Sequence, residues 1–213
     1  AAQGFGAEVV VGSEVERVIT SNSRATGVAL ADGTEYHAKI VVSAADPRRT
    51  FTEFVDSREL PLDLVDNLRK YKYQGSSSKV NFALEALPQY QSLPGRGDMF
   101  RGFTNVAPTI EYLERAFDEA KYGWYSTRPY IDGCIQSTID PDMAPPGKHV
   151  MSCFVHYTPY QLKGSDWPTE RDRMADNVQA TLESFFPGFN DLVLQREVVT
   201  PLDIEQVAGL PDG

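Results

Sequence analysis

The first fifty residues constrain the fold most, because they consist of short runs rich in β-branched residues that are separated by turn signals. Four runs have the composition of strands: Ala7–Val11, Val15–Ser21, Ala25–Leu30 and Glu35–Ser43. Asp32-Gly33, between the last two runs, is a strong signal for a hairpin. An antiparallel meander is therefore predicted to open the chain.

The end of the fourth run has a different pattern. The residues from Lys39 to Ser43 are apolar without alternation, which is typical of a strand that is covered on both faces. Two small residues follow, Ala44 and Ala45, and then Asp46 and Pro47. Aspartate is a favoured N-cap and proline a favoured first helical residue, so a helix is predicted to follow directly.

The pattern changes again after residue 75. Four well-separated strands are predicted: Ser78–Leu84, Tyr130–Ser137, His149–Tyr157 and Leu194–Val199. Three helices have apolar residues at helical spacing: Leu62–Leu68, Ile110–Tyr122 and Thr169–Phe186. A proline-rich loop is predicted over Gln91–Gly97. We therefore predict an α+β fold in which a mostly antiparallel sheet is flanked by helices, with a boundary near Pro47.

Composition excludes several classes of protein. The formal net charge of −10 argues against a nucleic-acid partner, since phosphate binding needs clustered lysine and arginine. The two cysteines, Cys134 and Cys153, lie in apolar runs and are predicted to be free thiols, and no zinc-ligand spacing predicts a metal site. No apolar run reaches the roughly twenty residues of a membrane span. We predict a location in a bacterial cytoplasm or an organelle matrix, and peripheral membrane contact and oligomeric state stay open.

No catalytic side chain is predicted. Three histidines occur: His37, His149 and His156. None has the spacing of a metal or hydrolase motif, so each is interpreted as a structural or strand-edge residue. Many aromatic residues lie in loops and at strand ends, where their rings could line a pocket for an apolar ligand. The candidate pocket residues are Tyr130, Tyr157 and Tyr160.

The order of several sequence blocks is more specific than any single motif. The early blocks are Gly6–Val9, Val15–Val18, Gly27–Gly33 and Ala38–Pro47. In this order they resemble the phytoene desaturase and amine oxidase superfamily of flavoproteins. Later blocks resemble a subgroup named for a pyridine nucleotide-disulfide oxidoreductase domain: Arg128–Tyr130, Asp140–His149, Tyr157–Tyr160, Pro187–Phe189 and Thr200–Asp203. The chain nevertheless has no Cys-x-x-Cys motif.

The resemblance implies a division of the chain inside an α/β parent. Residues 1–47 would be part of a Rossmann-like FAD domain, residues 48–200 a substrate domain, and residues 201–213 the start of a return to the FAD domain. The residue matching Val15 would lie against the adenine end of FAD through its backbone. The loop matching Ser43, Ala44 and Ala45 would pass close to the cofactor, where small residues permit close approach.

The chain also departs from the superfamily pattern. The Gly-x-Gly-x-x-Gly motif and its acidic ribose partner are absent from these 213 residues. We therefore expect an internal piece of a longer protein, and we do not expect this piece to retain FAD, because the pyrophosphate relies on a helix N-terminus after a glycine turn.

The function implied for the parent is an FAD-dependent dehydrogenase or desaturase that acts on a small apolar substrate, isoprenoid or polyene. This piece alone is expected to be inactive, because the flavin carries the hydride chemistry. One alternative is a non-catalytic module of the same fold that binds a hydrophobic ligand or a protein. Another is an unrelated α+β domain whose first strands mimic the family.

Overall fold

Contacts within the chain divide it into two units, Ala1–Lys72 and Tyr73–Gly213. A computed structural model describes residues 2–93, 95 and 98–213. Three residues of the predicted proline-rich loop lie outside this range: Pro94, Arg96 and Gly97. Helices are mixed with antiparallel sheets, which confirms the predicted α+β class. The cofactor and substrate domains predicted to meet near residue 47 stay a prediction.

The first unit contains a three-stranded antiparallel sheet in the order β1-β2-β3. The strands are β1 (Val15–Ser21), β2 (Arg24–Leu30) and β3 (Glu35–His37). Asn22 and Ser23 join the first two strands with positive φ angles of 50° and 57°, as a type I′ turn requires. In the second turn, Asp32 accepts a hydrogen bond from the Thr34 amide at 2.9 Å and Gly33 has φ 87°. The predicted meander and hairpin are confirmed.

Two runs predicted to be strands are not strands, so these predictions are wrong. Within the described part of the first unit, neither Ala7–Val11 nor Lys39–Ser43 pairs with another strand, and the last strand ends at His37. Val11 is 84% exposed and Val42 is 86% exposed. A strand with two apolar faces needs neighbours that satisfy its backbone groups and cover those faces, and composition alone cannot supply them.

One helix of the first unit begins at the cap signal that Asp46 provides. The Asp46 carboxylate accepts a hydrogen bond from the Arg49 amide at 2.9 Å. Helix α1 (Pro47–Arg49) starts there and continues as a π-helix over Thr50–Phe54, which confirms the predicted helix. Helix α2 spans Leu62–Lys70.

The second unit contains a five-stranded sheet in the order β5-β6-β7-β4-β8, and every neighbouring pair is antiparallel. The strands are β4 (Ser77–Leu84), β5 (Phe103–Val106), β6 (Tyr130–Cys134), β7 (His149–His156) and β8 (Val193–Val199). All four predicted strands therefore lie in one sheet, as expected. The sequence pattern did not predict β5, which is only four residues long, and β6 ends earlier than predicted because Gln136–Thr138 forms a 3-10 turn.

The core of the second unit lies between the sheet and helix α4 (Trp167–Phe185). Alternate residues of β4 are fully buried on the helix side, including Val80, Phe82 and Leu84. Met174, Val178 and Leu182 of α4 belong to the same cluster and are almost completely inaccessible. Each such side chain contributes about 1.5–3 kcal/mol through burial. The prediction that this helix covers one face of the sheet is confirmed.

Three further helices complete the second unit: α3 (Ile110–Lys121), α5 (Phe189–Leu192) and α6 (Pro201–Ala208). Thr109 caps α3 by accepting a hydrogen bond from the Tyr112 amide at 3.1 Å. Thr200 and Asp203 form a capping box at the start of α6, and Gly209 ends that helix with φ 66°. The strong cap explains why a helix forms in a stretch that has little helical periodicity.

Candidate functional site

The five-stranded sheet has a second side, opposite the core, which we call the open face. In antiparallel sheets directly paired residues point to the same side, so the strand register identifies its members. One row across four strands is Lys79, Phe154, Asp132 and Asn105. A second row is Ser77, His156 and Tyr130. A third row is Asn81, Ser152, Cys134 and Phe103.

Aromatic groups occupy the middle of the open face. The rings of Tyr130 and His156 stack with centroids 5.2 Å apart, and those of His156 and Phe154 lie 6.4 Å apart at 19°. The Lys79 ammonium lies 4.9 Å from the centroid of Phe154, which is 44% exposed. These residues form a row of roughly parallel rings beside which an apolar ligand could lie.

The imidazole of His156 has a hydrogen-bond partner and a lowered pKa. Its Nδ1 lies 3.1 Å from the Ser77 hydroxyl oxygen. Burial lowers the pKa of His156, and the opposing effect of Asp132 is smaller. The imidazole is therefore neutral at physiological pH, so it provides a polar group without bringing a charge to the open face.

The polar side chains of the open face bind one another. The Asn105 amide donates to the Tyr130 hydroxyl and to the Asp132 carboxylate, both at 2.9 Å. Ser152 donates to Asn81 at 2.7 Å, and Asn81 donates in turn to Glu197 of β8 at 2.9 Å. Because these groups already have partners, an apolar ligand would cover them at a lower desolvation cost than unpaired groups would impose.

The three predicted pocket tyrosines have different surroundings. Tyr130 and Tyr157 lie on either side of His156, and the ring of Tyr157 is 5.5 Å from the imidazole. Tyr157 also packs edge-on against Phe117 at 5.2 Å. Tyr160 donates its hydroxyl to Glu205 of α6. The structure thus groups the first two, and the prediction that all three border one concave surface stays a prediction.

The predicted cofactor residues lie in the first unit. Ser43 and Ala45 line a mainly apolar cavity of about 310 Å³ together with Val18, Val41 and Thr50. The Ser43 and Thr50 hydroxyls are 2.7 Å apart. Ala44 is exposed, and Val15 is the first residue of β1, paired with Leu30.

The carboxylate of Asp46 tests whether this loop suits a hydroxyl-bearing cofactor. One oxygen caps α1, but Oδ2 is buried and has no hydrogen-bond partner. A buried acceptor without a partner costs about 1–3 kcal/mol, so a donor supplied from outside would be stabilising. Small neighbours and an unused acceptor together fit a dinucleotide whose ribose or ribityl hydroxyls can donate.

Residues of the open face other than Tyr130 were not predicted as site residues. Asp132, Phe154 and Lys79 have no motif, and His156 was interpreted as structural. The alternation within β4, β6 and β7 could have indicated that these residues point to one side, but not that they lie next to one another. Both cysteines are free, as predicted, and burial raises the pKa of Cys153. Among the described residues, no cluster of His, Cys, Asp or Glu side chains could hold a metal ion.

Known proteins resemble this chain over nearly its whole length. It is 38% identical to the mouse pyridine nucleotide-disulfide oxidoreductase domain-containing protein 2 over 218 residues, which cover 98% of this chain and 37% of that protein. It is 26% identical to a lycopene-forming phytoene desaturase from Paracoccus over 204 residues, 93% of this chain and 38% of the desaturase. A carrot chloroplastic prolycopene isomerase is 24% identical over 200 residues, 92% of this chain and 30% of the isomerase.

The chain resembles the phytoene desaturase group of oxidoreductases. This confirms the predicted resemblance. The chain spans little more than a third of the length of the mouse relative. An oxidoreductase from Methanosarcina mazei has a similar fold, with a TM-score of 0.55 and 18% identity over 92% of this chain and 39% of that structure. No protein-family model matches the chain.

None of the helices in the described residues is both long enough and apolar enough to cross a membrane.

Proposed function

We propose that this chain supplies the substrate-binding sheet and part of the cofactor domain of an FAD-dependent oxidoreductase acting on an apolar isoprenoid or polyene. The open face is the observation that carries the proposal. It offers stacked rings at Tyr130, His156 and Phe154, and its polar groups are largely paired with one another. Similarity to a phytoene desaturase and a prolycopene isomerase supports a polyene substrate.

In this proposal the protein binds and orients the substrate. Bound FAD supplies the chemistry by accepting a hydride. The rings would hold a conjugated chain by dispersion, and the neutral imidazole of His156 would add no charge to those of Lys79 and Asp132 on the same face. Excluding water from such a surface strengthens the remaining polar contacts. Residues 48–200 would form this substrate domain.

The cofactor would be held mainly through residues 1–47. Val15 and the loop Ser43, Ala44 and Ala45 would contact FAD through main chain and small side chains, and Asp46 Oδ2 would accept a hydrogen bond from one of its hydroxyls. Residues 201–213 would begin the return to the FAD domain. The predicted cytoplasmic or organelle-matrix location is part of the same proposal.

Retinol binding tests the open face directly, because retinol is an isoprenoid polyene whose fluorescence changes in an apolar site. We expect the 213-residue chain to bind it, and we expect Phe154→Ala to weaken binding by about tenfold, which corresponds to about 1.4 kcal/mol. Tyr122→Ala is the matched control, since Tyr122 is also an exposed aromatic residue but lies at the end of α3. Equal effects of both substitutions would contradict the proposed site.

Titration calorimetry with FAD tests the cofactor part. Without a glycine-rich phosphate turn, we expect a dissociation constant that is roughly micromolar or weaker for this chain. A value below about 100 nM would show that the chain holds the pyrophosphate in another way.

Purifying the longer protein distinguishes an oxidoreductase from a non-catalytic binding module of the same fold. The oxidoreductase should purify yellow with bound flavin, whereas a module that binds only a hydrophobic ligand or a protein should be colourless. In the yellow protein, Ala44→Trp should remove the colour, because the bulky ring would block close approach of the cofactor. Ala31→Trp is the control, as Ala31 is an exposed alanine in the β2–β3 turn.

A further inference from the structure

A groove of about 530 Å³ lies on the second unit, beside α3. Tyr112, Arg115 and Glu119 of α3 line one wall, and Thr127 and Arg128 of the following segment line the other. The volume falls within the range of small-molecule sites.

Hydrogen bonds tie the two walls together. Glu119 accepts from both the amide and the hydroxyl of Thr127, the latter at 2.7 Å. The Tyr112 hydroxyl donates to the Pro129 carbonyl at 2.9 Å, and burial raises the pKa of Tyr112, so it stays a donor. Ser126 donates to the carbonyl of Ala116. The groove is therefore preformed, which reduces the entropy lost when a ligand binds.

Two arginines bring positive charge to the groove. Arg128 lies over the ring of Tyr112, with its guanidinium carbon 5.8 Å from the ring centroid. Arg115 is three residues from Tyr112 on the same helix. Neither arginine forms an ion pair with another part of the chain that the structure describes.

Two glutamates, Glu111 and Glu119, also line the groove and offset part of this positive charge. Glu119 uses both of its oxygens on Thr127. Glu111 lies near Arg115; its own backbone and Thr109 lower its pKa, with a smaller effect from Arg115. Glu111 is therefore ionised, and it lies closer in sequence to Arg115 than to Arg128.

We propose that this groove binds a small organic oxyanion, with a carboxylate or phosphate group between Arg115 and Arg128 and a flat or apolar body against Tyr112. Guanidinium groups present paired N–H donors that match both kinds of oxyanion. The pair is notable in a chain with a formal net charge of −10, which would otherwise repel anions. The groove shares no lining residue with the proposed FAD and polyene sites.

Calorimetry with two probes distinguishes the source of the oxyanion. Inorganic pyrophosphate represents phosphate ligands, and benzoate represents carboxylates with a flat body. We expect at least one probe to bind the 213-residue chain at low salt, and the stronger probe identifies the class. No heat from either probe at about millimolar concentration would overturn the proposal.

Variants then assign the binding to the groove. Arg115→Met with Arg128→Met should weaken binding by about tenfold or more, because charge-assisted hydrogen bonds are lost while the alkyl chains are kept. Arg69→Met is the matched control, since Arg69 is an exposed arginine on α2. An unchanged affinity in the double variant, with an unchanged melting temperature, would overturn the assignment.

Glu111→Gln tests whether a negative charge in the groove opposes binding of the ligand. Removing this negative charge should strengthen anion binding severalfold, because less of the Arg115 charge is offset. Weaker binding of the anionic probe to Glu111→Gln would contradict the proposed role of the Arg115 charge.

Discussion

The two units show what a sheet needs in order to form from its sequence. In the second unit every predicted strand finds a partner, and helix α4 of the same unit covers one face. In the first unit, Ala7–Val11 and Lys39–Ser43 are as rich in β-branched residues, but they pair with no strand in the described part of that unit. β-propensity therefore forms strands only where neighbours satisfy the backbone and remove the side chains from water.

Hydrogen exchange should show the largest contrast between the units. Amides of β4, which lies between β7 and β8, are expected to exchange only on opening of the whole sheet, at a cost of about 5 kcal/mol or more. Amides of Lys39–Ser43 are expected to exchange almost as fast as those of an unfolded chain. Strong protection of Lys39–Ser43 would contradict the comparison by showing that this segment has a partner.

The second-largest contrast is expected in the free energy of unfolding, when side chains of the two units are truncated. Leu182→Ala removes a fully buried side chain of α4 and should lower the free energy of unfolding by about 2–5 kcal/mol. Val42→Ala, at an 86% exposed position, should change it by less than about 0.5 kcal/mol. Urea unfolding followed by circular dichroism measures both, and a comparable loss in Val42→Ala would contradict the observed exposure.

The helix caps provide a smaller contrast. Thr200→Ala removes the hydroxyl that accepts a hydrogen bond from the Asp203 amide in the capping box of α6, and should cost about 1 kcal/mol. Asp46→Ala should cost less, because α1 is short and the substitution also removes a buried oxygen that has no partner. Thermal melts of both variants make the comparison, and a larger loss for Asp46→Ala would show that its second oxygen has a partner in solution.

The smallest expected effect is a loss of stability at acidic pH. Burial tends to raise the pKa of Glu170, but hydrogen bonds from Tyr125 and Ser165 and the ion pair with Arg173 together outweigh it, so the pKa is lowered. This carboxylate therefore contributes stability above its ordinary pKa of 4.5, and the contribution is lost as pH falls through the lower folded value. No carboxylate residue in the described first unit is as buried.

Melting temperatures at about pH 7 and about pH 4 measure this acid sensitivity. Glu170→Gln should flatten the pH dependence, because the amide does not titrate. Asp172→Asn is the control, since Asp172 is an exposed carboxylate on the same helix. If the melting temperature of Glu170→Gln depends on pH as strongly as that of the wild type, another group is responsible for the acid sensitivity.

Some features of the molecule follow from the sequence because their causes are local. Asp32-Gly33 specifies its hairpin through backbone conformation, and Asp46-Pro47 specifies a helix start through capping. The alternation of β4 and the periodicity of α4 likewise identify the faces that meet in the core. The ordered early blocks were sufficient to predict the resemblance to the phytoene desaturase group.

Tertiary structure decided the features that depend on distant residues. The run Lys39–Ser43 has the composition of a buried strand, yet only a neighbouring strand could make it one. The open face exists because the register aligns Tyr130 with His156 and Phe154 with Asp132 across strands that are far apart in sequence. The groove beside α3 likewise exists only because the segment after α3 folds back against that helix. Sequence periodicity reports which side of an element is buried, but contacts across elements determine which polar groups are left to bind a ligand.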